Sequence, residues 1–119
     1  MKAILLVSHG SRSPKTKEEI IVLADLLRLR LPGEVVEFAF LEIESPNIPE
    51  GIDRCASQGV SAIVVTLNFL NAGRHVNDDI PAIVREAEVK YPHIKFSISQ
   101  PIGQHPQIPN LFIDLINNA

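Results

Sequence analysis

The chain has no tryptophan, one tyrosine, one methionine and one cysteine in 119 residues, and aromatic residues make up only 5% of it. So few rings exclude an aromatic stacking platform for single-stranded nucleic acid. A formal charge of −3 removes the basic footprint that nucleic-acid binding requires. Cys55 has no second cysteine to pair with, so an internal disulfide is excluded, and this suits a reducing compartment. Long apolar runs are also missing. The opening stretch Ala3-Ile-Leu-Leu-Val7 passes at once into Ser8, His9, Gly10 and Ser11, too short for a signal peptide or a membrane span. We therefore expect a cytoplasmic protein with neither a nucleic-acid nor a membrane partner.

What remains is ordinary for a folded domain: 45% hydrophobic and 21% charged residues, over a length that suits a single unit spanning 1–119. Ala3–Val7 reads as a strand buried on both faces, and Ala62-Ile-Val-Val-Thr66 reads the same way. Val35 to about Leu41 and Lys95 to Ser99 supply two more strands. Between them, apolar residues recur at helical spacing. Ser13-Pro14 opens a helix carrying Ile20, Ala24, Leu27 and Leu31, which Pro32-Gly33 ends. Ser45-Pro46 is expected to open a second helix with Ile48, Ile52 and Ala56 inward. A third carries Val76, Ile80, Ile83, Val84 and Ala87, with Asp78 and Asp79 in its first turn, and His105-Pro106 opens a last one through Leu111, Phe112, Leu115 and Ile116.

The order βαβαβαβα predicts an α/β domain of three layers, a four-stranded parallel sheet of order 2-1-3-4 with right-handed crossovers and flavodoxin-like topology. In such a sheet the strand order reverses between the first and third strands, and ligands bind outside the carboxyl ends there. The loops meeting at that point run from Ser8 to Arg12 and from Leu67 to His75, and each brings a histidine, His9 and His75. Neutral imidazoles in one crevice can hold a borderline divalent ion or accept a proton near neutral pH. Two histidines are too few for a closed structural site, which has four ligands, so an open and transient metal site is expected. Glu42, at the end of the second strand, is a candidate hard ligand or base on the same rim. Ser11, Arg12, Gly73 and Arg74 are candidates to hold carboxylates, through charge-assisted hydrogen bonds and close backbone approach. Cys55 reads as core packing, His93 as surface and His105 as a helix cap.

Leu6-Val-Ser-His-Gly-Ser-Arg12, Phe40-Leu-Glu42 followed by Pro46, Phe69-Leu70, Ala72-Gly-Arg-His-Val76, Asp79-Ile-Pro81 and Pro101-Ile-Gly-Gln-His-Pro106 together resemble the small form of the CbiX sirohydrochlorin chelatases. The resemblance runs in order over about residues 3 to 116. It implies an ATP-independent, lyase-class chelatase that inserts a divalent ion into sirohydrochlorin, an octacarboxylate tetrapyrrole, as a homodimer sharing one cleft. It also implies catalytic roles for His9, His75 and Glu42, with the two histidines handling the metal, Co²⁺ first and Ni²⁺ or Fe²⁺ as alternatives. No tightly bound cofactor is implied. Cobalamin synthesis is the expected pathway, with nickel tetrapyrrole or sirohaem synthesis as alternatives.

The chain departs from the family pattern at Leu67, where a proline is usual, and at Asn68, where an apolar residue is often found. Histidine phosphatases also place His-Gly after a first strand, but they want an arginine before it, and Ser8 stands there. A non-catalytic carrier of tetrapyrrole or metal is the remaining alternative.

Overall fold

The computed structural model describes residues 1–74 and 76–119 in full and, of His75, the backbone alone. Its four parallel strands are β1 (Lys2–Ser8), β2 (Val35–Phe40), β3 (Ala62–Leu67) and β4 (Lys95–Pro101), in the order β2-β1-β3-β4. The helices are α1 (Pro14–Arg30), α2 (Ile48–Ala56), α3 (Ile80–Lys90) and α4 (Ile108–Asn117). The expected α/β architecture and strand order are therefore present. None of these helices is long and apolar enough to cross a membrane, a statement limited to the described residues.

The register explains which side chains meet. Ala3 pairs with Val35 and Ile63, and Leu5 with Glu37 and Val65. The odd-numbered β1 residues Ala3, Leu5 and Val7 point to the face covered by α2 and α3, where they join Ile52, Cys55, Ile63, Val65, Ile80 and Val84 in the main core. Cys55 is fully buried in that core, as the sequence suggested. The even-numbered residues Ile4 and Leu6 point to the opposite face, where α1 covers them with Ile20 and Ala24 alongside Val36 and Phe40. β1 is thus buried on both faces, which is why it is written almost wholly in apolar residues.

β3 is different. Ile63, Val65 and Leu67 are buried, but the alternate residues Ala62, Val64 and Thr66 are only half-buried. The expectation of a strand buried on both faces is corrected here. α1 lies over β1 and β2 and leaves the β3–β4 half of its own face open.

Three further boundaries depart from expectation for local reasons. α2 begins at Ile48 with Asn47 as its cap, rather than at Ser45-Pro46. The Asn47 side chain accepts from the Glu50 N–H (2.8 Å) while Glu50 Oε1 accepts from the Asn47 N–H (2.9 Å), a reciprocal box that Ser45 cannot form because Ile48 stands three residues after it. The Pro46 carbonyl is engaged instead by the Phe40 N–H at 2.8 Å.

Asp78 and Asp79 lie in a wide π turn, His75–Asp79, ahead of α3 rather than inside its first turn. Pro81 has no N–H to return to Asn77, so the regular ladder starts beyond it and the preceding turn is free to widen. A 3-10 turn, Ile102–Gln104, intervenes before α4, and His105 closes the connection by accepting the Gln107 N–H on Nδ1 at 3.0 Å.

At the amino end of the sheet, Asp53 of α2 accepts from the Tyr91 hydroxyl (2.5 Å) and the Lys90 ammonium (3.0 Å). The Tyr91 bond above all, aided by Lys90, holds the Asp53 carboxyl below the usual range despite some desolvation. This fastens α2 to α3 far from the carboxyl edge.

Candidate active site

Past the last sheet residues, the loops after β1 and β2 continue to pair. The Leu41 N–H donates to the Ser8 carbonyl (2.9 Å) and the Glu42 N–H to the His9 carbonyl (3.1 Å). This extended zipper places His9 beside Glu42, and the side chains meet with Nε2 and Oε1 3.0 Å apart, each about half exposed. The sequence placed both residues on this rim, and the structure brings them into contact. A carboxylate on an imidazole nitrogen fixes the ring's tautomer and orientation, as in histidines that bind metals or move protons.

Gly10 makes that contact possible. Its φ is +105°, and a Cβ there would run into the Glu42 carbonyl oxygen. Only glycine lets the two loops approach this closely. The loop after β2 is itself strained, since Ile43 has a φ of 72°, rare for a β-branched residue, and the Glu44 N–H reaches back to the Glu42 carbonyl at 2.8 Å. Glu44 Oε1 then accepts the Ser11 N–H at 2.8 Å. The two neighbouring glutamates therefore have separate tasks. Glu42 meets the histidine, whereas Glu44 ties down the loop that carries it. The Ser11 hydroxyl accepts the Ser13 N–H (3.1 Å), so Ser11 braces the loop as well.

The loop after β3 closes the other side. Asn68 donates from its backbone to the Val7 carbonyl (2.8 Å) and from Nδ2 to the hydroxyl of buried Ser8 (3.1 Å). An apolar residue at position 68 would leave that hydroxyl without this donor, so Asn68 and Ser8 are matched to each other. The His9 and Phe69 rings meet nearly at right angles, with centroids 6.0 Å apart and planes at 81°. His9, Asn68, Phe69, Leu70, Asn71, Gly73 and Val76 line an open cleft of about 420 Å³.

Gly73 faces this cleft. Arg12 and Arg74 are exposed on the rim, and neither forms an ion pair among the described residues. The role expected of the His75 side chain lies outside the described residues. No group of three His, Cys, Asp or Glu suited to a metal ion occurs among the described residues, and His9 with Glu42 makes a pair. Sequence reasoning missed Ile43, Glu44 and Phe69 as parts of the site. Only the Phe69-Leu70 motif carried a signal for any of them.

A four-stranded parallel sheet with a His–Glu pair at its topological switch point defines the class, an open-sheet α/β protein with a ligand crevice at its carboxyl edge. The CbiX family model matches residues 3–119, and the chain belongs to that family. A sirohydrochlorin cobaltochelatase of Priestia megaterium is 37% identical over 107 residues, covering 90% of this chain and 35% of its own length. A sirohydrochlorin ferrochelatase of the same organism is 28% identical over 119 residues, covering 100% of this chain and 45% of its own.

Among solved structures, the sirohydrochlorin chelatase SirB from Bacillus subtilis subspecies spizizenii in complex with cobalt superposes with a TM-score of 0.88 at 31% identity. It covers 98% of this chain and 50% of that one. The chain thus spans half or less of the length of these relatives.

Proposed function

We propose that the protein is a sirohydrochlorin cobaltochelatase, inserting Co²⁺ into sirohydrochlorin without ATP in the anaerobic synthesis of cobalamin. The contact between His9 and Glu42 at the switch point carries this reading. Insertion requires the ion to shed water and the macrocycle to lose two pyrrole protons as four nitrogens take up the metal. An imidazole oriented by a carboxylate serves both needs, receiving the incoming ion or accepting a pyrrole proton. In this reading His75 shares these tasks with His9. Arg12, Arg74, Ser11 and the backbone at Gly73 hold the peripheral carboxylates, for which exposed guanidinium groups are suited.

Cobalt is preferred because one cobalt-named relative is 37% identical, against 28% to 33% for iron-named relatives. Imidazole accepts Co²⁺, Ni²⁺ and Fe²⁺ alike, so donor chemistry does not rank them. The test is the absorbance change of sirohydrochlorin with each ion in turn. Fastest turnover with Co²⁺ is expected, and faster turnover with Ni²⁺ or Fe²⁺ overturns the cobalt assignment. His9→Ala should lower turnover by about 100-fold or more while leaving the far-ultraviolet spectrum unchanged, the range for loss of a positioned acid or base. Undiminished turnover in that variant overturns the site. Binding of tetrapyrrole and metal without any spectral change would make the protein a carrier.

A further inference from the structure

α1 is apolar on more sides than the sheet can cover. Ile20, Ala24, Leu27 and Leu31 pack inward over β1 and β2, the single stripe that a helix lying on a sheet needs. On the far side Val22, Leu26 and Leu29 are 57%, 51% and 78% exposed. At about 100° per residue, Val22 and Leu29 point almost directly away from the sheet, with Leu26 beside them on the flank towards β3. A helix with a second apolar stripe behind its core stripe belongs between two surfaces.

That second stripe is regular. Lys15, Glu19, Val22, Leu26 and Leu29 follow one another at alternating steps of four and three residues, the spacing of a coiled-coil seam. At its amino end Lys15, Glu18, Glu19 and Val22 line an open cleft of about 410 Å³. Positions i, i+3, i+4 and i+7 are the four corners of the hole that receives one side chain from a facing helix. Leu29, the most exposed apolar residue of α1, is a knob without a hole.

Charge on the helix is divided in the same way. Arg28 is used inside the chain, donating to the Val36 carbonyl (2.6 Å) and to Asp25 (2.6 Å). Glu18, Glu19 and Arg30 form no ion pair among the described residues. Acid therefore lies uncompensated in the amino half of α1 and a guanidinium at its carboxyl end. Glu19 and Arg30 share the flank towards β3, and a two-fold axis brings like flanks together.

We propose that two copies of this chain pack the outer faces of α1 against each other, antiparallel, with the two-fold axis crossing at the level of Ala24. Leu29 of each copy then enters the cleft of the other, Val22 meets Leu26, and Glu19 meets Arg30, each contact being made twice. A parallel pair would instead set Glu19 on Glu19 and Arg30 on Arg30. The three apolar side chains and the aliphatic stems of Lys15, Glu18, Glu19 and Arg30 supply about 500 Å² on each copy, or about 1,000 Å² in all, the size of a weak specific interface. An affinity of order 10 μM is expected from such a surface. The contact lies on the helical layer and leaves His9 and Glu42 untouched, so it goes beyond the functional reading and does not depend on it.

Sedimentation equilibrium compares the wild-type chain with a variant carrying Val22→Glu and Leu29→Glu. Both positions are exposed, so an unchanged far-ultraviolet spectrum is expected. Association should weaken at least about 100-fold, roughly tenfold or more for each apolar side chain lost from the contact. At about 100 μM, ten times the expected dissociation constant, the variant should have half the wild-type mass. The fall is from two copies to one or, where pairs already form at the carboxyl edge, from four to two. Equal masses overturn the proposal. The register is tested by charge reversal, which leaves the apolar stripe intact. Glu19→Arg and Arg30→Glu, each alone, should weaken self-association by about fivefold, the worth of two exposed ion pairs. An equimolar mixture of the two variants should associate at least as tightly as the wild type, because each copy then meets the opposite charge. A mixture no tighter than either variant alone overturns the antiparallel pairing.

Discussion

Gly10 shows how one residue sets the chemistry of its neighbours. The pairing of His9 with Glu42 depends on two loops touching through backbone, and Gly10 stands at the point of contact with φ +105°. Gly10→Ala adds a methyl group where the Glu42 carbonyl oxygen lies and places a side chain in a backbone region that disfavours it. We expect a loss of about 2 kcal/mol or more in urea unfolding and a fall in metal insertion larger than the unfolded fraction explains. Wild-type stability in that variant would show that the loops separate at no cost. The sequence made His9, Glu42 and Gly10 visible as polar or small residues at strand ends. The division of labour between Glu42 and Glu44 was not visible, because it follows from the turn at Ile43, whose positive φ no β-branched residue advertises.

Elements were legible where their periodicity was strong. Four strands and four helices stand in the expected order, and α1 starts at Pro14 as its Ser-Pro signal indicates. Boundaries moved where two signals competed. Ser45-Pro46 and Asn47-x-x-Glu50 both resemble helix starts, and the second prevails because it satisfies two backbone N–H groups reciprocally. Asn47→Ala should therefore cost about 1 kcal/mol and lower the thermal midpoint by roughly 4 °C. The exposed cap lies outside the cleft, so the insertion rate at 25 °C should hold. A calorimetric scan beside a rate measurement checks both. Cys55, in the same helix, is buried with its thiol pushed up to about 12, by desolvation first and then by the Glu37 charge, so it should ignore thiol reagents until the chain unfolds.

For the whole molecule, the homodimer that the family resemblance implies would couple stability to association. If a second copy covers the exposed apolar residues of α4, separation would expose them again, and unfolding and dissociation would proceed as one event. A tenfold dilution should then lower the thermal midpoint by about 3 °C, given the unfolding entropy expected for two chains of this length. A midpoint independent of concentration would mean that each chain is stable alone.

The sequence by itself determined the α/β class, the parallel sheet and its order, and the pair of loops at the switch point. These follow from periodicity and from the handedness of crossovers, which are properties of the local chain. Tertiary structure alone decided that Glu42 and not Glu44 meets His9, that Asn68 answers Ser8, that α4 is left exposed and that one face of β3 is only half-covered. Such facts depend on which atoms arrive within about 3 Å of each other after folding. A linear pattern encodes that a strand wants cover on both faces. It cannot encode whether the cover comes from the same chain.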